Sequence, residues 1–119
     1  MLSLPPSVHI HLCVEPADMR RSFDGLALLV QQFLGADPLS GHLFVFRNKP
    51  GDRLKLLFWD GDGYVIYYKR LEEGTFRFPA PRAKESGVAI RAADLAMLLD
   101  GVDLDSVKRR KRYRRPTSV

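Results

Sequence analysis

The stretch RLKLLFWDGDGYVIYYKR, residues 53–70, decides the fold that the sequence predicts. Two runs rich in aromatic and aliphatic residues, Arg53–Trp59 and Tyr64–Arg70, flank the segment Asp60–Gly63, whose glycines suit the positive φ angles of a tight turn. A third run, Leu43–Arg47, precedes the turn sequence NKPGD at 48–52, in which proline presets the first turn dihedral. We therefore expect these runs to form an antiparallel meander.

Two segments upstream of the meander add a strand and a helix. Val8–Val14 contains β-branched residues and alternates, which is typical of a strand. In the following segment, apolar residues recur at the i, i+3, i+4 and i+7 spacing of one helix face, at Leu26, Leu29, Val30 and Phe33. This spacing predicts an amphipathic helix from about Arg20 to Leu34.

The downstream segments are shorter. Phe76–Phe78 reads as a short edge strand, and the prolines after it open an irregular stretch that reaches Gly87. Leu95–Val102 has the spacing of a short C-terminal helix with Gly101 at its cap. The prediction is thus a single α+β domain over residues 1–107, an antiparallel β-meander of four to five strands packed against one main helix, followed by a basic flexible tail at 108–119.

The composition limits the classes of protein. A chain of 119 residues fits one domain with a modest core, and the single cysteine, Cys13, excludes an intrachain disulfide framework. No run approaches the roughly 18 apolar residues of a membrane span, and the N-terminus lacks the pattern of a signal peptide. We therefore expect a cytoplasmic protein with no membrane partner.

The net charge of +5 is concentrated in the tail. Removing its seven basic residues from the total of 19 leaves 12, against 14 acidic residues, so that residues 1–107 carry a net charge of −2. Such a block is either a solvated, disordered end, a membrane-surface contact, or an arm that neutralises the phosphates of a nucleic acid. The hypothesis of DNA binding assigns the phosphate contacts to Lys108, Arg109, Arg110, Lys111, Arg112, Arg114 and Arg115.

The faces of the sheet follow from the register of its hairpins. With the simplest closure, paired residue numbers sum to about 100 in the first hairpin and about 123 in the second. One face is then almost wholly apolar and should lie under the main helix: Phe44, Phe46, Leu54, Leu56, Phe58 and Val65. The other face carries a basic and aromatic patch: Arg47, Arg53, Lys55, Trp59, Tyr68 and Arg70.

This patch has two interpretations. Arg47, Arg53 and Arg70 would lie side by side across three strands, which is destabilising unless Glu72, Glu73 or a bound anion lies among them. The first possibility is purely structural; in the second the anion is phosphate, and the aromatic rings stack on unpaired bases. A competing hypothesis makes this face an adaptor surface for a protein partner around Leu57, Trp59, Tyr64 and Ile66. A slip of one residue in the register would remove both interpretations.

The remaining motifs indicate little chemistry. Asp60–Gly63 has alternating carboxylates, but the glycine and glutamate that complete a calcium loop are missing. His9, His11 and Cys13 alternate on the first strand, yet no second cluster supports a zinc site. The sequence contains no phosphate-binding glycine loop. We therefore expect no metal, no cofactor and no catalytic activity.

Five segments in order carry a family resemblance: DMRRSFDGL at 18–26, DPLSG with FVFRN at 37–48, RLKLLFWDGDG at 53–63, YKRLEEGTF at 68–76 and LAMLLDGVD at 95–103. They resemble the TnpB-type accessory proteins, the second reading frame, of the insertion-sequence family sixty-six. The resemblance implies a bacterial protein encoded between a small first reading frame and the transposase, and required with them for efficient movement of the element. It implies the transposase and other element-encoded proteins as partners, and it supplies no catalytic residues. DNA is expected as a partner from the basic tail, and the sequence leaves a homo-oligomer open.

Overall fold

The computed structural model describes residues 5–78 and 86–101. In these ranges the chain forms five strands and two helices: β1 (Ile10–Cys13), α1 (Phe23–Phe33), β2 (Leu43–Arg47), β3 (Arg53–Trp59), β4 (Tyr64–Arg70), β5 (Gly87–Ile90) and α2 (Ala92–Leu99). The α+β class is therefore confirmed.

The five strands make one mixed sheet in the order β4-β3-β2-β1-β5. The pairs β4–β3, β3–β2 and β1–β5 are antiparallel, whereas β1 and β2 are parallel because α1 connects them as a crossover. The expectation of a purely antiparallel sheet was wrong in this one pair. The predicted edge strand Phe76–Phe78 was also wrong, since the peptide N–H of Phe76 donates to the Gly51 carbonyl at 2.8 Å and its side chain is buried there.

The fifth strand comes instead from GVAI at 87–90, which pairs with β1 from Cys13↔Gly87 to Ile10↔Ile90. Glycine and alanine are poor strand formers, so this segment carries little sequence signal for a strand. Its place in the sheet depends on β1, with which it forms ladder hydrogen bonds.

The first hairpin differs by one residue from the expected register. Arg47 lies opposite Leu54 and Phe46 opposite Lys55, so that paired numbers sum to 101. The reason is Asn48, whose N–H donates to the Arg53 carbonyl and extends the ladder by one pair. Its side-chain oxygen also accepts the N–H groups of Gly51 and Arg53, at 2.9 and 3.0 Å. The second hairpin has the expected register, with Arg53 opposite Arg70.

Because of this shift, the β2 and β3 side chains share faces in other combinations than expected. One face of the sheet is covered by α1 and the other by α2. Beneath α1 lies a core cluster of Cys13, Ala17, Leu26, Leu29, Val30, Phe44, Phe46 and Leu57. On the opposite face α2 packs on Ile10, Leu12, Leu43, Val45, Leu54 and Leu56. The expected apolar face was therefore wrong: Phe44 and Phe46 face α1, while Leu54, Leu56 and Phe58 face α2.

Hydrogen bonds at the start of each helix explain where it begins. The helix α1 begins at Phe23, later than expected, because residues 18–21 form a separate turn in which the Asp18 carbonyl accepts the Arg21 N–H. The helix α2 begins at Ala92, where the Asp94 carboxylate accepts the backbone N–H of Arg91. Gly101 follows α2 with a φ of 91°, the conformation expected of a C-terminal glycine.

Candidate nucleic-acid interface

An open groove lies on the α1 side of the sheet, near the ends of β3 and β4. It consists of two adjoining depressions of about 350 and 400 Å³, and Arg53 lines both. The first is also lined by Asp18, Arg20 and Asn48, and the second by Tyr68, Arg70 and Glu72. Arg53 and Arg70 are directly opposite each other on adjacent strands, and the Arg53 guanidinium donates to the Tyr68 hydroxyl at 3.3 Å.

Ion pairs flank Arg53 on both sides. Arg20 pairs with Asp18 at 2.7 Å, and Arg70 pairs with Glu72 at 2.8 Å. The Arg20 guanidinium, by hydrogen bonding, lowers the pKa of the Asp18 carboxyl to about 2. Among the described residues, no carboxylate forms an ion pair with Arg53. Three arginines and two carboxylates leave one net positive charge, and Arg53 carries it without a carboxylate partner.

The flanking ion pairs are exposed and therefore weak. The side chains are 92% and 45% exposed for Arg20 and Asp18, and 58% and 51% exposed for Arg70 and Glu72. Exposed pairs of this kind contribute about 0–1 kcal/mol and exchange readily with other partners. An incoming anion with delocalised charge can thus compete for the arginines.

Lys55, which the sequence placed in the basic patch, has a structural role. Its side chain is buried, and its ammonium donates to the carbonyl oxygens of Met19 and Arg21, both at 2.7 Å. The ammonium also lies 4.7 Å from the centre of the Tyr68 ring. Lys55 therefore fixes residues 19–21 on the sheet and lies behind the groove rather than in it.

Two further members of the predicted patch lie elsewhere. Arg47 is on the α2 face, where its guanidinium donates to the Val14 carbonyl at 3.3 Å and lies over the Phe78 ring. Its placement beside Arg53 and Arg70 was wrong, because the hairpin register is shifted by one residue. Trp59 shares the face of Arg53 but lies at the far end of β3, in an edge-to-face contact with Tyr64. Only Arg53, Tyr68 and Arg70 meet in the groove.

Sequence reasoning missed Asp18, Arg20 and Asn48 as groove residues. These three precede a helix and a turn, where polar side chains ordinarily serve as caps. Indeed the Asp18 carboxylate accepts the backbone N–H of Arg20, and Asn48 holds the turn. No local pattern indicated that they lie beside β3 and β4.

The expected adaptor surface is largely covered. Leu57 is fully buried, and Tyr64 and Ile66 pack partly against the cluster beneath α1. The expectation that this set forms an exposed face was wrong, because it assigned α1 to the opposite side of the sheet.

All three histidines lie close together, although the sequence grouped only His9 and His11. The ring centre of His42 is 4.8 Å from that of His9 and 6.1 Å from that of His11. The Nδ1 atom of His42 accepts the His9 backbone N–H at 3.0 Å, which occupies its lone pair. Burial, with the neighbouring imidazoles, lowers the pKa of His11. Within residues 5–78 and 86–101, no three His, Cys, Asp or Glu side chains are arranged to hold a metal ion.

Cys13 lies on the same face of β1 as His11 and is buried beneath α1. Its thiol donates to the Glu15 carbonyl at 3.6 Å, and burial raises its pKa. A raised pKa keeps the thiol protonated at neutral pH, which makes it a poor nucleophile and a poor metal ligand.

The seven basic residues of the tail lie outside the described residues. None of the helices in the described part of the chain has the length and apolar character needed to cross a membrane.

Comparison with known proteins identifies the class of this small α+β domain. The family model of IS66 Orf2-like proteins, TnpB_IS66, matches residues 8–109, and the chain belongs to this family. The resemblance drawn from the sequence is thus confirmed. Membership in it indicates an accessory protein of insertion-sequence transposition.

Two relatives come from Sinorhizobium fredii (strain NBRC 101917 / NGR234). "Uncharacterized protein y4jC" is 39% identical over 119 residues, which is 100% of this chain and 99% of the relative. "Uncharacterized protein y4hO" is 42% identical over 103 residues, which is 87% of this chain and 88% of the relative. No solved structure matches the chain.

Proposed function

We propose that the protein assists transposition by binding DNA, alone or in complex with the transposase, through the groove around Arg53 and the basic tail. The observation that carries this proposal is the pair Arg53 and Arg70, opposite each other beside the exposed ring of Tyr68. Two guanidinium groups on adjacent strands repel each other, and an anion between them removes that repulsion. Family membership makes DNA the anion to test first.

The chemistry of the groove suits a phosphate group. A guanidinium presents its N–H groups in a planar fork that binds two phosphate oxygens at once. Arg53 is available for this contact, and Arg70 can join it by leaving its exposed pair with Glu72. Tyr68 is 48% exposed, so that its ring can stack on an unpaired base next to the bound phosphate. This arrangement favours single-stranded or unpaired DNA over duplex DNA.

The tail adds a contact that does not depend on sequence. Lys108, Arg109, Arg110, Lys111, Arg112, Arg114 and Arg115 neutralise phosphates and release counterions, which makes affinity fall steeply with salt. The groove and the tail thus contribute differently: the tail sets the salt dependence, and the groove sets the preference for unpaired DNA.

The test is fluorescence anisotropy with a labelled single strand and a labelled duplex at two salt concentrations. The substitution Arg53→Gln should weaken single-strand binding about fivefold to tenfold, an effect typical of losing one phosphate contact. The matched control is Arg47→Gln, because Arg47 is also a strand arginine but lies on the α2 face. It should bind like the unaltered protein.

A chain ending at Val107 tests the tail separately. It should lose affinity for both DNA forms and show a flatter salt dependence, while keeping its preference for the single strand. Equal effects of Arg53→Gln and Arg47→Gln would contradict the role of the groove. If neither the full chain nor the shortened chain bound DNA, the adaptor hypothesis would replace this one. That hypothesis predicts binding to the transposase that does not depend on salt.

A further inference from the structure

The strand β4 lies at one end of the sheet, and no described strand pairs with its outer side. The direction of its backbone groups follows from the second hairpin. The Leu71 N–H donates to the Asp52 carbonyl, and the Asp60 N–H donates to the Gly63 carbonyl. Since hydrogen-bonded pairs alternate in an antiparallel ladder, the odd-numbered residues of β4 bond to β3. The even-numbered residues Tyr64, Ile66, Tyr68 and Arg70 therefore direct their N–H and C=O groups outward.

An outer edge of this kind is a template for another strand. Sheet proteins usually protect such edges with proline, bulges or charged side chains along the strand. YVIYYKR contains no proline, it pairs with β3 without a bulge, and its two charged residues, Lys69 and Arg70, lie together at one end. The first five residues of the edge are therefore uncharged.

We propose that two copies of the protein pair antiparallel through β4, with Tyr67 of each copy on the two-fold axis. In this register Tyr64 lies opposite the partner's Arg70, and Ile66 opposite the partner's Tyr68. These are even-numbered residues on both strands, so that every outward backbone group of β4 finds a partner. No other antiparallel register pairs the whole strand.

The side chains are compatible in the same register, because no like charges meet. On the α1 face the Tyr64 ring meets the partner's Arg70, and on the α2 face Val65 meets the partner's Lys69. Like charges are not opposite each other anywhere in the pair, whereas a parallel partner would place Lys69 and Arg70 beside their own copies. The occupant of this edge is accordingly a second copy in the antiparallel orientation.

The pairing has a corollary that rests on the proposed function. An antiparallel two-fold axis runs perpendicular to the sheet, so both grooves face the same side of one ten-stranded sheet. The two Arg70 positions are six residues apart along the strands, roughly 20 Å at 3.3 Å per residue. One dimer would hold two phosphates of the same DNA molecule.

Disulfide trapping tests the pairing without DNA, so its outcome is distinct from that of the proposed function. In the substitution Tyr67→Cys, the two introduced thiols face each other across a non-hydrogen-bonded pair, whose Cα atoms lie roughly 4.5 Å apart. Tyr67 is 38% exposed, so the substitution does not disturb the core. The matched control is Val65→Cys on the same face, where the two thiols would be about 13 Å apart.

Mild oxidation should convert most of the Tyr67→Cys protein into a disulfide-linked dimer and leave Val65→Cys monomeric on a non-reducing gel. The buried native Cys13 is present in both variants and serves as an internal control. Sedimentation of the unaltered chain should give about twice its mass of 13.5 kDa. Equal trapping of the two variants, or a monomer mass together with no trapping, would overturn the proposal.

Discussion

Replacing Lys55 with methionine should destabilise the domain strongly, although a lysine in a strand ordinarily tolerates substitution. The ammonium is enclosed between β3 and the turn before α1, with the carbonyl oxygens of Met19 and Arg21 each 2.7 Å away. Lys55→Met keeps the length and the apolar part of the side chain. It removes the charge and both hydrogen bonds.

The size of the effect follows from these contacts. A hydrogen bond with a charged partner contributes about 1.5–3 kcal/mol, so the two bonds together contribute about 3–6 kcal/mol. Removing the buried charge also removes the free-energy cost of taking it out of water, which offsets part of that loss. We expect the free energy of unfolding to fall by about 3 kcal/mol and the melting temperature by roughly 10–15 °C.

Urea denaturation followed by circular dichroism measures this difference. The control is Lys49→Met, the same substitution at an exposed residue of the turn after β2, which should change the free energy of unfolding by less than about 0.5 kcal/mol. A loss below about 1 kcal/mol for Lys55→Met, or equal losses for both variants, would refute the structural role of the ammonium.

Three further substitutions test the packing and the groove. Leu57→Ala should lower the free energy of unfolding by about 3 kcal/mol because Leu57 is fully buried beneath α1. Urea denaturation measures this loss, and a near-zero change would mean that Leu57 is exposed, as the sequence analysis expected. Gly87→Ala should lower the free energy of unfolding by at most about 1 kcal/mol in the same assay, since the added Cβ would lie 2.5 Å from Leu34 Cδ2, the movable end of a half-buried side chain; a loss above about 2 kcal/mol would mean that Leu34 cannot move aside. The Asp18 pKa of about 2 is depressed from 3.8, so its stabilising effect is complete above about pH 4 and is lost as pH falls toward 2. Arg20→Ala should return that pKa toward 3.8 in a carboxyl NMR titration, and an unchanged value would exclude the ion pair as its cause.

The sequence was sufficient to predict the elements with strong periodic patterns. Three strands of the meander and the helix α1 have apolar spacing that extends over several residues, and their turns contain glycine or proline. The strand β5 has four residues with weak strand preference, so only its pairing with β1 defines it. Local patterns predict local structure, whereas an edge strand of this length is a tertiary feature.

The faces of the sheet could not be predicted because they depend on one turn. Five residues separate Arg47 from Arg53, and both registers are compatible with that length. The side chain of Asn48 selects one of them by accepting two backbone N–H groups. That choice moves every β2 side chain to the opposite face relative to β3. The residues that line the groove therefore differ from those of the expected patch, and only Arg53, Tyr68 and Arg70 are common to both.

The same turn links the fold to the groove. Asn48 lines the groove, fixes the register that directs Arg53 into it, and excludes Arg47 from it. Lys55, two residues further along β3, holds the backbone carbonyls of Met19 and Arg21, next to the groove residues Asp18 and Arg20. The groove therefore depends on two polar side chains that hold the backbone in place, Lys55 through two carbonyl oxygens and Asn48 through two backbone N–H groups. Asn48 also donates to the Asp52 carboxylate at 2.7 Å. Substitutions at Asn48 and Lys55 should impair the groove through the fold. In contrast, Arg53→Gln removes a charge and one hydrogen bond to the Tyr68 hydroxyl and leaves the backbone contacts of the groove in place, so only this substitution separates binding from stability.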